Sequence, residues 1–187
     1  MKPYLNLRDW AVTQASVAVI LFLLIPVFNI FGATVHPWAS ILHGLGATIT
    51  VLLGCQALHR TYPLLRSKEG SAARLELLLW ATSLLVLLTI ILGNWLYIGY
   101  RQPDGGQQWL MYHEPAGHMI AMEYKEFVSL FPLPLSIAAA WLLRRYKTAA
   151  ESHPGIASVI ALLVTLLWIC LLIGLVFGLG ITKLIMV

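Results

Sequence analysis

Residues 36–60, HPWASILHGLGATITVLLGCQALHR, decide the fold class of this chain. Between Trp38 and Leu58 the stretch contains no Asp, Glu, Lys or Arg, and it ends at a basic residue, Arg60. A helix needs about 20 apolar residues to cross a hydrocarbon core that is about 30 Å thick. The stretch therefore predicts a transmembrane helix over residues 38–58.

Four other stretches have a similar length and character, at residues 10–31, 75–100, 119–143 and 156–182. Of the 187 residues, 59% are hydrophobic and 11% are charged, whereas soluble domains carry about 25% charged residues. We therefore predict an all-α fold, in which residues 1–187 form a single membrane domain, a polytopic bundle of five transmembrane helices. Residues 10–31 exceed the roughly 7–15 apolar residues of a signal peptide, so we expect them to remain as a span.

Basic residues are concentrated on one side of these spans, and cytoplasmic loops carry the excess of Lys and Arg in membrane proteins. This distribution predicts an N-in, C-out orientation, with the loop 101–118 on the outer side of a bacterial inner (cytoplasmic) membrane. It also accounts for the formal net charge of +4, so we expect membrane lipid and no nucleic acid as a partner. Nine of the 12 Lys and Arg lie on the predicted inner side: Lys2, Arg8, Arg60, Arg66, Lys68, Arg74, Arg144, Arg145 and Lys147.

The span 38–58 carries a histidine above a strip of small residues. At about 100° per residue, His43, Gly46 and Gly54 fall on one face of the helix. Such a face can admit a haem, because the imidazole can ligate the iron while the glycines make room for the flat ring. The alternative is that the glycines let another helix pack closely while His43 hydrogen-bonds a neighbour. The sequence leaves both interpretations open.

A haem at His43 needs a second axial ligand, and His118 is the candidate because it lies at the entry of the span 119–143. On the opposite side of the membrane, His59 and His153 could ligate a second haem. The chain contains no CxxCH attachment motif, so any haem would be held non-covalently, as in b-type cytochromes.

Glu123 and Glu126 are i,i+3 neighbours at the start of the fourth predicted span. One interpretation is a structural salt-bridge cluster at the membrane interface. The other is proton handling, in which one of these carboxylates accepts a proton from a quinol, since ionisable groups in a span mark functional sites.

A metal site of another kind is also open at the outer side. His36, His113 and His118, together with Glu114 and Glu123, could bind a metal ion, since imidazole and carboxylate suit zinc, copper or iron. His113 and His118 do not have the i,i+4 helical spacing of many metal sites, so this set is an alternative to the haem.

With His43 above its glycine strip and His118 at the start of a later span, the chain resembles the small b-type membrane cytochromes. These are bundles of four to six helices in which histidines from different helices hold haem, and they exchange electrons with quinones. The resemblance implies axial-ligand roles for His43 and His118, and for His59 and His153 if a second haem is present.

We therefore expect a membrane electron-transfer protein that binds haem b, one or two, and exchanges electrons with a quinone. If the chain is part of an enzyme, it is expected to be an oxidoreductase subunit of the quinol–cytochrome type. With few residues outside the membrane, it is expected to act with other subunits of a larger complex. The alternatives are a non-redox accessory or scaffold subunit, and a subunit of a metal-dependent membrane enzyme.

Overall fold

Helices with short connections make up the protein, as seen in a computed structural model that describes residues 37–186. Within this range all regular secondary structure is helical, which confirms the predicted fold class. The elements are α1 (Pro37–Leu65), α2 (Ser71–Tyr100), α3 (Gly106–His113), a π-helix (Gly117–Met122), α4 (Glu123–Leu130), α5 (Pro132–Ser152) and α6 (Pro154–Met186).

Four segments of the described range are long and apolar enough to cross a membrane, which fits an integral membrane protein. The predicted span 10–31 lies outside the described residues. The helices extend beyond the predicted spans, because backbone hydrogen bonding continues past the apolar residues that hydropathy detects. The four segments are Trp38–Leu65, Ser71–Tyr100, Gly117–Ser152 and Pro154–Ile185, and the third comprises the π-helix, α4 and α5.

The four spans form a ring, because α1 packs against α2 and α6, and α5 packs against the same two helices. Small residues allow close approach of membrane helices, and Ala57, Ala139 and Ala140 are fully buried in these contacts. Around them lies the main apolar core, whose largest members are Leu64, Leu75, Leu79, Leu133, Leu143, Ile160, Val164 and Leu167.

The bundle has two distinct ends. We call the end with the α1–α2 and α5–α6 connections the basic end, and the end with residues 101–116 the loop end. At the basic end, Glu151 Oε1 accepts a hydrogen bond of 2.9 Å from the Ala72 N–H, which caps the first turn of α2. The helix directions bring seven basic residues to or near this end: Arg60, Arg66, Lys68, Arg74, Arg144, Arg145 and Lys147.

A second and smaller apolar core lies at the loop end. It consists of Leu110 of α3, Met122 of the π-helix and Ile181 of α6, with aromatic residues packed around them. This core attaches the loop between the second and third spans to the last helix.

The third span is interrupted where α4 meets α5. Pro132 and Pro134 have no N–H, so the carbonyls of Val128 and Leu130 lose the donors that a regular helix would supply. On the basic side of this interruption α5 packs against α2 and α6, whereas on the loop side α4 packs mainly against α6. The third span and α2 therefore diverge toward the loop end.

Candidate functional site

A cavity of about 370 Å³ occupies the space between the diverging helices. It is bordered by α1, α2, α4 and α6, and most of its lining is apolar. Small-molecule sites in proteins have roughly 300–1,000 Å³ and a few polar groups set in an apolar wall. This cavity is therefore the candidate functional site. Its polar lining includes His43, Asn94, Tyr97, Lys125 and Glu126.

His43 is held by α2 in a defined orientation. Its Nδ1 lies 3.0 Å from the carbonyl oxygen of Thr89, and because a carbonyl can only accept, Nδ1 carries the hydrogen and donates it. The lone pair of Nε2 is then free for a ligand. Metal-ligating histidines commonly donate their other ring N–H to a carbonyl in this way.

Gly93 makes this position of the His43 ring possible. A Cβ atom at residue 93 would lie 2.8 Å from Cε1 of His43 and 3.2 Å from its Nδ1. Any side chain larger than hydrogen would therefore collide with the imidazole. The ring lies directly on the backbone of α2 because residue 93 is glycine.

Glu126 is positioned by a tyrosine that is itself held by an arginine. The Nε of Arg101 donates a hydrogen bond of 2.6 Å to the hydroxyl oxygen of Tyr97, and the Tyr97 hydroxyl is hydrogen-bonded to Glu126. The hydrogen bond to Tyr97 raises the pKa of Arg101, which lies just beyond α2, so its guanidinium stays charged. This series of contacts from Arg101 through Tyr97 fixes one side of the Glu126 carboxylate.

The other oxygen of that carboxylate is unsatisfied. Oε1 of Glu126 is buried and has no hydrogen-bond partner among residues 37–186. A buried polar atom without a partner costs roughly 1–3 kcal/mol. A ligand that donates a hydrogen bond in the cavity would remove this cost.

Lys125 also lines the cavity, although it precedes Glu126 by one residue. Its aliphatic chain lies along α6, where a Cβ atom at Gly178 would be 3.4 Å from Cε of Lys125. The lysine and Glu126 interact electrostatically. Two opposite charges inside a span are costly and indicate a functional site.

His118 lies outside the cavity lining, at the loop end. It is buried, and its Nδ1 is 2.8 Å from the hydroxyl of Tyr100. Its Nε2 is 3.2 Å from Nε2 of Gln107 and 3.6 Å from Oε1 of Glu123. Both ring nitrogens thus have partners that fasten the loop. The structure does not bring His118 to His43, and their pairing as axial ligands stays a prediction that requires these hydrogen bonds to break.

The two glycines of the predicted haem face lie against helices. A Cβ atom at Gly46 would be 2.6 Å from Oγ1 of Thr89 in α2, and one at Gly54 would be 3.0 Å from Cδ1 of Leu171 in α6. This is the geometry that the alternative interpretation, close helix packing, requires. A haem role for these glycines stays a prediction.

Glu123 and Glu126 occupy different surroundings. Glu123 is half-exposed, and its Oε1 lies 3.9 Å from Nη2 of Arg101 and 3.6 Å from Nε2 of His118. It forms the salt-bridge cluster that one interpretation of the sequence describes, although it also borders the cavity. Glu126 alone carries a buried, unsatisfied oxygen, so proton handling is better placed there.

The remaining histidines are dispersed. His59 and His153 are exposed at the basic end, and His36 lies outside the described residues. His113 is exposed on α3, and its Nδ1 is 3.0 Å from the Trp109 carbonyl. Within residues 37–186 no three His, Cys, Asp or Glu side chains are placed to hold a metal ion. The second haem and the alternative metal site stay predictions.

Several site residues were not predicted from the sequence. Asn94 was detectable, because it is a lone amide within a long apolar stretch. Tyr97 carries a weaker signal, since aromatic residues are common near membrane interfaces. Gly93 and Thr89 carry none, because their roles depend on which helix lies beside α2.

Comparison with known proteins adds no relative: no family model, no curated protein and no solved structure matches the chain.

Proposed function

We propose that this chain is a membrane electron-transfer protein that binds a quinol in the cavity between α1, α2, α4 and α6. It would be the five-helix, N-in, C-out subunit of a larger complex in a bacterial inner membrane, with the loop end on the outer side. The observation that carries the proposal is the buried, unsatisfied Oε1 of Glu126 in a mostly apolar cavity that also contains His43. A quinol offers an apolar ring and two hydroxyl donors, which match these two acceptors.

Each polar group has a role in this proposal. The lone pair of His43 Nε2 accepts a hydrogen bond from one quinol hydroxyl, and Glu126 Oε1 accepts one from the other. Oxidation of a quinol releases two electrons and two protons, and Glu126 Oε1 accepts one proton while His43 Nε2 accepts the other. Arg101 and Tyr97 are positioning residues that hold the carboxylate in place. The two electrons reduce an oxidised electron carrier, such as a haem or an iron–sulfur cluster, which a partner subunit of the complex would hold.

A second candidate is a b-type cytochrome in which haem occupies the same cavity instead of a quinol. The favouring observation is the Nδ1–H of His43 donated to the Thr89 carbonyl, which presents Nε2 as an axial ligand. Met122 and Lys125 also line the cavity, and the thioether of Met122 or the amine of Lys125 would hold the haem together with His43. A bound haem would supply one-electron transfer. This candidate therefore rests on His43 and not on His118.

Glu126→Leu is expected to weaken quinol binding by at least about tenfold. Leucine keeps a similar volume but removes the acceptor, and hydrogen bonds to charged groups contribute about 1.5–3 kcal/mol. The measurement is quenching of tryptophan fluorescence by a decyl-tailed benzoquinol, with the full chain in lipid nanodiscs. Glu114→Leu is the matched control, because Glu114 is exposed on the loop. Equal affinities of the two variants would rule out the role of Glu126.

The absorption spectrum of the purified protein separates the two candidates. A Soret band that disappears in His43→Ala and persists in His113→Ala indicates the haem, because His43 lines the cavity and His113 does not. Quinol binding without a Soret band indicates the first candidate. If neither signal is seen, the scaffold subunit remains as the explanation. If the protein contains stoichiometric metal but no haem, the metal-dependent enzyme remains.

A further inference from the structure

Two walls of the cavity are formed by α2 and α4, and these two helices make little contact with each other. On the basic side it ends near Pro132, and below that residue the Ser83 and Ser136 hydroxyls lie 2.9 Å apart between α2 and α5. On the loop side α4 packs mainly against α6. The gap between α2 and α4 is therefore closed on the basic side. On the loop side, direct helix packing does not close it.

At the loop end, polar contacts close the same gap. Tyr97 of α2 is hydrogen-bonded to Glu126 of α4, and Nη2 of Arg101 lies 3.9 Å from Oε1 of Glu123. Behind them, His118 fastens the loop to the end of α2. A ligand coming from the water at the loop end would have to break these contacts.

Between the two closures the cavity reaches the side of the bundle. Phe127 and Leu130 both line the cavity, yet they are 63% and 40% exposed. They lie four and seven residues beyond Glu123, which places them about 6–10 Å deeper along the helix. At that depth the surrounding solvent is lipid. We call this opening, bordered by Phe127 and Leu130, the lateral window.

We infer that the quinol enters sideways from the lipid through the lateral window, and that its apolar tail stays in the window against Phe127 and Leu130. This inference rests on the proposed function. His43 and Glu126 line the cavity, and Phe127 and Leu130 border its mouth, so the site matches an amphipathic ligand whose hydroxyl-bearing head leads. The ring of Phe127 packs edge-on against Phe131, with centroids 5.1 Å apart, which keeps it beside the opening.

Leu130→Trp tests the inference by filling the window. The full chain in lipid nanodiscs is titrated with two benzoquinols that have the same head, one with a decyl tail and one without a tail. The variant should bind the decyl-tailed compound at least about tenfold more weakly, because overpacking excludes the tail. It should bind the tailless compound within about twofold of the wild type, and more slowly. Leu162→Trp is the control, because Leu162 is 58% exposed on α6 and does not line the cavity.

Phe127→Ala provides a second variant that creates no bulk and so keeps the test decisive if Leu130→Trp does not fold. It removes the other tail contact and should also weaken only the decyl-tailed compound. Unchanged binding of that compound by both variants would overturn the inference, because the tail would then not contact these two side chains. Equal weakening of both compounds would overturn it too, because the residues would then act on the head. If neither compound binds the wild type, the proposed function fails as well.

Discussion

Gly93→Val is expected to weaken quinol binding, or to remove haem, while leaving every candidate ligand atom in the chain. A Cβ atom at this position would lie 2.8 Å from Cε1 of His43, so the imidazole must leave the surface of α2. The 3.0 Å hydrogen bond from Nδ1 to the Thr89 carbonyl is then lost, and Nε2 no longer has a fixed direction. We expect affinity for the decyl-tailed benzoquinol to fall by at least about tenfold, or any Soret band to disappear.

Gly44→Val is the control for this experiment. Both changes place a β-branched residue at a glycine in a membrane span, so their effects on helix propensity are matched. A Cβ atom at Gly44 meets nothing within 4 Å. If the Gly93 variant binds ligand as tightly as the wild type, the fixed imidazole has no part in the site.

Gly46→Leu is expected to separate α1 from α2 and to destabilise the whole protein. Its Cβ would lie 2.6 Å from Oγ1 of Thr89 and 3.5 Å from its Cβ, so a side chain near the backbone of α2 has to move. Overpacking of this kind costs about 1–3 kcal/mol, which corresponds to roughly 2–12 °C in Tm for a chain of this size. The measurement is thermal unfolding in detergent followed by tryptophan fluorescence.

Gly44→Leu again serves as the control, because it adds the same side chain at an open position two residues away. Gly54→Leu should have a smaller effect than Gly46→Leu, since its nearest neighbour is Cδ1 of Leu171, the end of a flexible side chain. A Gly46→Leu protein that melts with the wild type would show that α1 and α2 are not packed at this glycine.

Hydropathy predicted the four spans that lie within residues 37–186, but not their ends. The predicted span 119–143 lies within the longer segment Gly117–Ser152, because a helix continues wherever its backbone hydrogen bonds are made. The π-helix was not predicted, because its residues carry no hydropathy signal that distinguishes it from an α-helix. The interruption at Pro132 was predictable, because proline lacks the N–H that a helix needs.

The sequence identified part of the site but not how its parts meet. His43 and Glu126 were candidates because polar groups in apolar stretches are conspicuous. The pattern of small residues at Gly46 and Gly54 could not distinguish a flat ligand from a packed helix, since both need the same room. On a helix, consecutive side chains such as Lys125 and Glu126 point about 100° apart. Both nevertheless line the cavity, because the cavity extends around more than one side of α4.

The two apolar cores described above imply that the protein unfolds in two steps. The main core, which includes Val86 and Leu171, reaches one wall of the cavity, and the smaller core, which includes Met122, reaches another. The smaller core contains far fewer buried residues than the main core, so local opening at the loop end costs less free energy than global unfolding. A ligand in the cavity touches both units and couples their opening equilibria. Amide hydrogen exchange at the loop end therefore reports ligand binding directly. As ligand is added, amide protection should rise at the loop end before it changes where α2 packs against α5.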